Sequence, residues 1–487
     1  MKKEHILLVL IFFLTFGARL FFAFGTDNFT YESYFDLRQV ETIRENGLPI
    51  FNDELSYSGR FFIFTPLYHY VLAFFNLFFP IDFVVKVIPN LLASTLVIVV
   101  YFLSLKITNN KEASVFSSFI SGFIPIFFAE TTNSIHVFTL MTSLSFLLIY
   151  FFIRIKDNKK YINYFIITLI ISTLVHPSSF LVVSALVIYA IIGKLEHLRI
   201  QRKELELITF STVFVVLLYF FIYQKALITY GASIFSQNPT LYFTGVLEMI
   251  YKTGLIPFIA GLYIIYRSFF KSRNKYIFIL IGFAVSSALA LWLRLINFIE
   301  GLMFLSVILV LLFSRYYVLF LEYIKKTRFS NFKIYFVILV TLIFIVTSVI
   351  PSLYYSYTGL QNIPGQDEIS SMEWLRENTK EDAVILAPVK EGFMINQLAK
   401  RKNVADLNFL LVADAPQRLE DIETIYTTQF KTLAIQLLNK YDVDYIYLSD
   451  RARTEYATDE LRYFDDTCFV VVYDKGVRIY KSLCKLE

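Results

Sequence analysis

Two short polar runs near the start of a very hydrophobic chain carry residue types that can do chemistry. The first is Tyr31-Glu32-Ser33-Tyr34-Phe35-Asp36-Leu37-Arg38, and Asn52-Asp53-Glu54-Leu55-Ser56-Tyr57-Ser58-Gly59-Arg60 closes the stretch. Glu32 and Asp36 are four residues apart, so on a helix they share a face, with Arg38 and Glu41 further round. A carboxylate at a membrane surface can act as a general base or hold a divalent cation that grips a phosphate. Arg60 suits a phosphate because its planar fork matches the oxygens in pairs. Tyr31, Tyr34 and Phe35 would sit well in the headgroup region. Taken alone, the same helix reads first as an interfacial amphipathic helix with solvated charges.

Further polar residues recur at corresponding places. Glu130 and His136 flank a turn around Ala129-Glu130-Thr131-Thr132-Asn133. His176 ends an apolar run, and Arg294 and Glu300 bracket another turn in Trp292-Leu293-Arg294-Leu295-Ile296-Asn297-Phe298-Ile299-Glu300. Ionisable groups at membrane depth are expensive and mostly functional. Each alone reads equally as a capping or snorkelling residue, His176 as a helix-end histidine. Their common placement, together with the first polar stretch, favours a site.

The elements that must position these residues are membrane helices. The 487 residues are 56% hydrophobic, 18% aromatic and only 17% charged, with a mean hydropathy of +0.59. Apolar runs of about 17–25 residues, enough to cross a hydrocarbon core of roughly 30 Å, fill the first three quarters. The +5 net charge sits in short loops between these runs and is not a nucleic-acid signal. The first run lacks a small-residue cleavage site and reads as an uncleaved helix. Basic loops around Lys2, Lys106, Arg154, Lys194, Arg267 and Lys325 all read as cytoplasmic. They leave about eleven spans, near 5–24, 83–105, 113–129, 137–153, 162–176, 179–194, 207–223, 250–266, 276–293, 297–314 and 334–353. Residues 62–79, bounded by Pro66 and Pro80, read as a re-entrant or interfacial helix. The N-terminus is then cytoplasmic, with external loops at 25–82 and 224–249.

Residues 1–353 thus form a transmembrane domain, and 354–487 a small extracytoplasmic α/β domain. In the latter, residues 371–379 read as an amphipathic helix. Ala383–Leu386, Tyr445–Leu448, Phe469–Tyr473 and Val477–Tyr480 read as strands. Cys468 and Cys484 fall nearly opposite each other on the last hairpin; a disulfide in an oxidising compartment and two free thiols are both compatible with that spacing.

The first polar stretch, with Gly47-Leu48-Pro49 and Thr65-Pro66-Leu67, resembles the first external loop of GT-C glycosyltransferases, nearest to the archaeal and oligosaccharyltransferase-catalytic-subunit branch. Glu373-Trp374-Leu375-Arg376-Glu377-Asn378-Thr379, followed by Asp382-Ala383-Val384-Ile385-Leu386, resembles the start of that family's external domain. The resemblance implies a polytopic enzyme that uses polyprenyl-linked sugars on the extracytoplasmic face. It gives Glu32 the place of the first-loop acidic residue, as base or metal ligand. Asp36 stands where that branch often has a histidine. Glu130 stands for the second-loop carboxylate, without the family's Asp-x-Asp or Asp-x-Glu pattern. Arg60 and Arg294 stand for phosphate-binding residues. Glu32, Asp36 and Glu130 are accordingly the expected catalytic set. Arg38, Asp53, Arg60, His136, His176, Arg294 and Glu300 are the expected substrate contacts, and Glu32 with Glu130 would ligate any magnesium or manganese. Tyr57 is expected only to shape the loop.

One departure bears on the substrate. Oligosaccharyltransferases carry Trp-Trp-Asp-Tyr-Gly in the external domain, where this chain has Pro388-Val389-Lys390-Glu391-Gly392-Phe393. The expectation is therefore transfer of one sugar from a polyprenyl-phosphate donor to a lipid, glycan or protein acceptor, by a single displacement. Alternatives from other classes are a flippase for lipid-linked glycans and a degenerate, non-catalytic glycan binder. A flippase should show internal repeats and midplane polar residues; here the ionisable residues crowd one face. Asn28-Phe29-Thr30 also matches a glycosylation sequon.

Overall fold

The computed structural model describes residues 3–231, 245–271, 273–328, 330–360 and 363–485. Of the expected second external loop, residues 232–244 lie outside the described residues. In chain order the elements begin with α1 (Lys3–Ala23), α2 (Ser33–Asn46), β1 (Asn52–Asp53), β2 (Arg60–Phe61), α3 (Leu67–Asn76) and α4 (Ile81–Thr108). Next come α5 (Lys111–Gly122), α6 (Pro125–Thr132), α7 (Phe138–Arg154), α8 (Lys160–Val175), α9 (Ser179–Leu195) and α10 (Arg202–Tyr230). They continue with α11 (Val246–Thr253), α12 (Leu255–Phe270), α13 (Lys275–Trp292), α14 (Phe298–Lys326), α15 (Lys333–Phe344) and α16 (Ile350–Leu360). The remainder is α17 (Gln366–Asn378), β3 (Val384–Leu386), α18 (Gly392–Met394), β4 (Lys402–Asn403), α19 (Ala415–Thr427) and α20 (Lys431–Lys440). It ends in β5 (Tyr445–Leu448), α21 (Asp450–Glu455), β6 (Phe469–Lys475) and β7 (Val477–Ser482).

Apolar sequence in lipid must satisfy its own backbone hydrogen bonds, which is why these runs become helices. Their starts are marked in sequence. Asn110, Asn274 and Asn297 cap α5, α13 and α14 by accepting from the N–H of Ala113, Tyr276 and Ile299. Among the described residues six helices are long and apolar enough to cross a membrane, counting Ser330–Leu360, which contains α15 and α16, as one, and eight if the bent pairs α5–α6 (44°) and α11–α12 (92°) each count as one span. The shorter apolar helices α7, α8 and α9 coincide with three further expected spans. All eleven expected spans therefore correspond to a helix or a bent pair. The ten residues of α3 are too few to cross.

The residues fall into two compact units. One comprises Met1–Thr26, Phe64–Leu227 and Ala232–Gln361; the other comprises Asp27–Ile63, Ile228–Gly231 and Asn362–Glu487. In the first, membrane unit, ion pairs link several of the basic loops. Lys111 meets Glu4 at 2.9 Å, Lys333 meets Glu112 at 2.7 Å and Lys106 meets Asp157 at 2.8 Å. Lys275 meets Glu204 at 2.5 Å and Arg273 meets Glu196 at 3.4 Å. These pairs join the start of α1 to the loops near residues 106–112, 157 and 333, and separately join the loops near 196–204 and 273–275.

The second unit folds around a five-stranded sheet of order β4-β3-β5-β7-β6. β4, β3 and β5 run parallel, and β7 and β6 complete the sheet antiparallel. β3 and β5 are buried along their whole length, as expected of parallel strands covered on both faces. The first loop contributes to this core: Tyr57 is buried among Val404, Ala405, Phe409, Tyr441 and their neighbours. The expected strands 383–386, 445–448, 469–473 and 477–480 are all present, and the expected helix 371–379 begins earlier, at Gln366.

Cys468 and Cys484 are joined in a disulfide that clamps the outer ends of β6 and β7. A link across 16 residues removes about 3 kcal/mol of chain entropy from the unfolded state. Cys468→Ser with Cys484→Ser should lower the melting temperature of the purified protein by several degrees, and reductant should do the same to the wild type alone. Unchanged melting in both cases would show that the hairpin does not depend on the bond.

Candidate active site

In the second unit, the candidate carboxylates Glu32 and Asp36 stand at the start of α2. Glu32 occupies the N-cap position of α2, and its side chain makes no cap hydrogen bond. Asp36 follows one turn later. Glu32 is open to solvent, yet enough protein surrounds it that loss of bulk water is the largest influence on its carboxyl. That loss raises the pKa; Asp36 raises it further and the Lys390 ammonium opposes both. A carboxylate with a raised pKa that solvent can still reach has the character of a general base.

Neighbouring side chains fix this turn. The Tyr31 hydroxyl donates to the Glu368 carboxylate at 3.0 and 3.1 Å, and the Arg451 guanidinium lies 4.5 Å over the Tyr31 ring. The Phe35 ring packs between Phe62 (5.2 Å) and Phe393 (5.1 Å). Gln397 donates to Glu41 at 2.7 Å. Asn28, the sequon asparagine, donates its side-chain amide to Pro364 O at 2.8 Å.

Two of the three arginines expected to bind substrate, Arg38 and Arg60, are engaged within the protein. Arg38 forms a two-pronged pair with Asp53, at 2.7 and 2.9 Å, which ties α2 to β1. Arg60 donates to Asn408 O, Asn408 Oδ1 and Leu410 O. It lies 3.7 Å from Asp406, 4.4 Å over the Phe62 ring and only 3% exposed at its side chain. With its Nη atoms so committed, Arg60 anchors the loop, and a phosphate would have to displace those partners. Asp406 is the hub: it also accepts from Ser56 at 2.5 Å and from Asn408 N at 2.9 Å.

The segment from Pro388 to Phe393 forms a tight turn leading into α18. A Cβ on Gly392 would lie 2.2 Å from Ala405 O, so only glycine lets the turn seat this closely. Seating it places Lys390 near Glu32. Glu391 points inward, fully buried, and accepts from Ser449 Oγ at 2.6 Å. Burial pushes its carboxyl well up; the Ser449 hydrogen bond opposes this, Glu368 adds to it and Arg451 opposes.

The remaining expected residues belong to the membrane unit. The rings of His136 and His176 each pack edge-on against the Phe138 ring, with centroid distances of 5.2 and 4.8 Å. Phe138 packs at 5.5 Å on Phe304, one turn after Glu300 on α14. His176 Nδ1 is 3.0 Å from Ser178 Oγ. Arg294 is exposed in the turn between α13 and α14, with φ at +56°. Glu130 lies on α6, next to Thr131. Among the described residues no three His, Cys, Asp or Glu side chains gather as a cation site.

Two residues were not singled out by the sequence reading. Arg19 of α1 is 1% exposed; it donates to Asn90 at 3.1 Å and Thr131 at 2.5 Å, and lies over the rings of Phe127 and Phe128. It thereby pins the end of α6 that carries Glu130. The signal was available, since a charge inside an apolar span is itself a functional flag. Lys390 had no such signal, because its approach to Glu32 depends on the turn at Gly392.

A family model described as the EpsG family matches residues 5–359. No curated protein matches the sequence. Among solved structures, the oligosaccharyltransferase of Archaeoglobus fulgidus, tethered to an acceptor peptide, is similar with a TM-score of 0.74 at 14% identity, over 92% of this chain and 70% of that one. The same enzyme with an inhibitory peptide and a dolichol-phosphate gives 0.68 at 14%, over 92% and 70%. ArnT from Cupriavidus metallidurans, bound to undecaprenyl phosphate, gives 0.54 at 10%, over 98% and 97%. The fold is that of GT-C membrane glycosyltransferases, as the resemblance in the first loop implied.

The Glu391 environment gives a signed pH dependence. An unfolded glutamate loses its proton near ~4.3, whereas the folded one holds it to higher pH. Above ~4.3 the folded state therefore binds more protons, and this group's contribution makes stability fall as pH rises. Glu391→Gln should flatten that fall in thermal unfolding of the whole protein between about pH 5 and pH 8. Equal slopes in variant and wild type would show that Glu391 is not the source.

Proposed function

The chain belongs to the EpsG family, and on that footing we propose that it is a glycosyltransferase. It moves one sugar from a polyprenyl-phosphate-linked donor to a lipid, glycan or protein acceptor at the outer face of the membrane. The observation that carries this reading is Glu32: a solvent-open carboxylate of raised pKa, on a fold shared with enzymes solved with dolichol-phosphate and undecaprenyl phosphate. The absence of Trp-Trp-Asp-Tyr-Gly at Pro388–Phe393 argues against a sequon asparagine as acceptor.

In the proposed reaction Glu32 takes the proton of the acceptor hydroxyl as that oxygen attacks the anomeric carbon. The carbon–oxygen bond to phosphate breaks, its electron pair leaves with the polyprenyl phosphate, and the anomeric configuration inverts. Arg294, exposed at its turn, is the residue proposed to meet the leaving phosphate, where a fixed cation lowers the barrier most. His136, His176 and Glu300, grouped around Phe138 and Phe304, are proposed as sugar or acceptor contacts. Burial raises the Glu32 pKa most, Asp36 adds to the rise and Lys390 limits it. Magnesium or manganese would share the phosphate charge; no step requires it.

The proposed orientation puts the N-terminus in the cytoplasm and the tail domain outside. Ion pairs between basic loops support a common side for them, as the positive-inside rule asks. The disulfide lies in the tail, where an oxidising compartment would maintain it.

The test is transfer of label from polyprenyl-phosphate monosaccharides in membranes containing the protein. Glu32→Gln should cut the rate by about 100-fold or more. The wild-type rate should rise with pH through a pKa above the ordinary glutamate value, because the base must be ionised to act. EDTA with magnesium or manganese added back reads any share taken by a cation. Wild-type turnover by a correctly folded Glu32→Gln protein would refute the mechanism. Absence of transfer from every phosphate-linked donor would refute the donor class.

A further inference from the structure

The membrane unit contains a groove of about 670 Å³ whose lining includes none of the candidate site residues. It runs between α12 and α14, which touch closely because Gly261 meets Leu309: a Cβ on Gly261 would lie 2.6 Å from Leu309 Cδ2. On α12 the lining residues Ile256, Ile259, Tyr263 and Arg267 follow a helical face, and on α14 the lining includes Leu319, Phe320, Tyr323 and Lys326. The two cations lie in the last turns of their helices. Tyr263 packs edge-on against Tyr316 at 5.7 Å, and Tyr263 and Tyr323 are 43% and 71% exposed.

This is a graded lining: aliphatic and phenyl side chains, then tyrosines, then an arginine and a lysine contributed by different helices. Apolar walls suit acyl chains, tyrosines suit the headgroup boundary, and paired basic side chains between spans suit a phosphate. Glu322, also in the lining, offsets one of the two charges and leaves a net positive mouth. We propose that this groove binds an anionic glycerophospholipid, its phosphate between Arg267 and Lys326 and its chains along Ile256, Ile259, Leu319 and Phe320. The plainer explanation is that both cations merely belong to the basic end of the bundle, attracting anionic lipid without a site. The two differ in whether position matters.

The experiment reconstitutes the full chain into vesicles of phosphatidylglycerol and phosphatidylcholine, extracts it mildly, and counts bound lipids by native mass spectrometry. Wild type should carry phosphatidylglycerol enriched roughly fivefold over the vesicle ratio, the net of two cations and Glu322 at a membrane surface. Arg267→Gln with Lys326→Gln should return the ratio to that of the vesicle, while Lys271→Gln with Lys325→Gln, basic residues outside the lining, should leave the enrichment intact. Arg267→Lys with Lys326→Arg keeps the charge and should retain it, which separates loss of the site from loss of the fold. Equal loss in both glutamine pairs, or no enrichment in wild type, would overturn the proposal. Displacement of phosphatidylglycerol by added polyprenyl phosphate in wild type, absent from the Arg267→Gln/Lys326→Gln protein, would overturn the choice of occupant. None of these readouts uses transfer activity, so they stand apart from the proposed function.

Discussion

Asp406 ties residues from two distant parts of the chain into one fold. Its buried carboxylate accepts from Ser56 and Asn408 N and pairs with Arg60. Asn403, three residues earlier, accepts from Tyr57 N at 2.8 Å, and Tyr57 donates its hydroxyl to Asp406 O at 2.8 Å. Residues 56–60 and 403–408 are separated in sequence by most of the membrane helices, yet they share one polar knot. Breaking a buried pair by removing one partner costs roughly 3–5 kcal/mol. That cost is large against the stability of a domain. The position of Glu32, carried on the helix that Arg38 ties to β1, depends on this knot.

The consequence is a division of labour in the first loop. Its charged residues that look free in sequence, Arg38, Asp53 and Arg60, hold the loop together, and its more lightly restrained carboxylate is Glu32. A general base needs a defined position and an accessible proton-accepting oxygen. Anchoring the flanks while leaving Glu32, at the N-cap of α2, open to solvent is compatible with both requirements. Gly392 serves the same end from the other side, seating the Lys390 turn against Ala405.

Much of this was legible in the sequence, for identifiable reasons. Membrane helices announce themselves because lipid forces each apolar run to satisfy its own backbone; each of the eleven expected runs corresponds to a helix or a bent pair among the described residues. The buried strands β3 and β5 are short runs of β-branched and aromatic residues, and were equally plain. The joining of residues 27–63 to the tail was not legible, since nothing local in Ser56 or Arg60 names Asp406 as a partner. Residue type suggested phosphate binding for Arg60 because a guanidinium fork fits a phosphate and a set of carbonyl oxygens alike. Only three-dimensional placement separates the two. Arg19 was overlooked although its signal was present, a lone charge among Phe16, Leu20 and Phe21.

The measurement closest to the central claim is amide hydrogen exchange on the full-length protein with and without Asp406→Ala. If the first loop owes its position to the polar knot, protection should fall together across residues 27–63 and 396–410, while α4 and α14 keep theirs. If residues 27–63 stay as protected in the variant as in the wild type, the loop is held by something else. The account of how Glu32 is positioned would then be wrong.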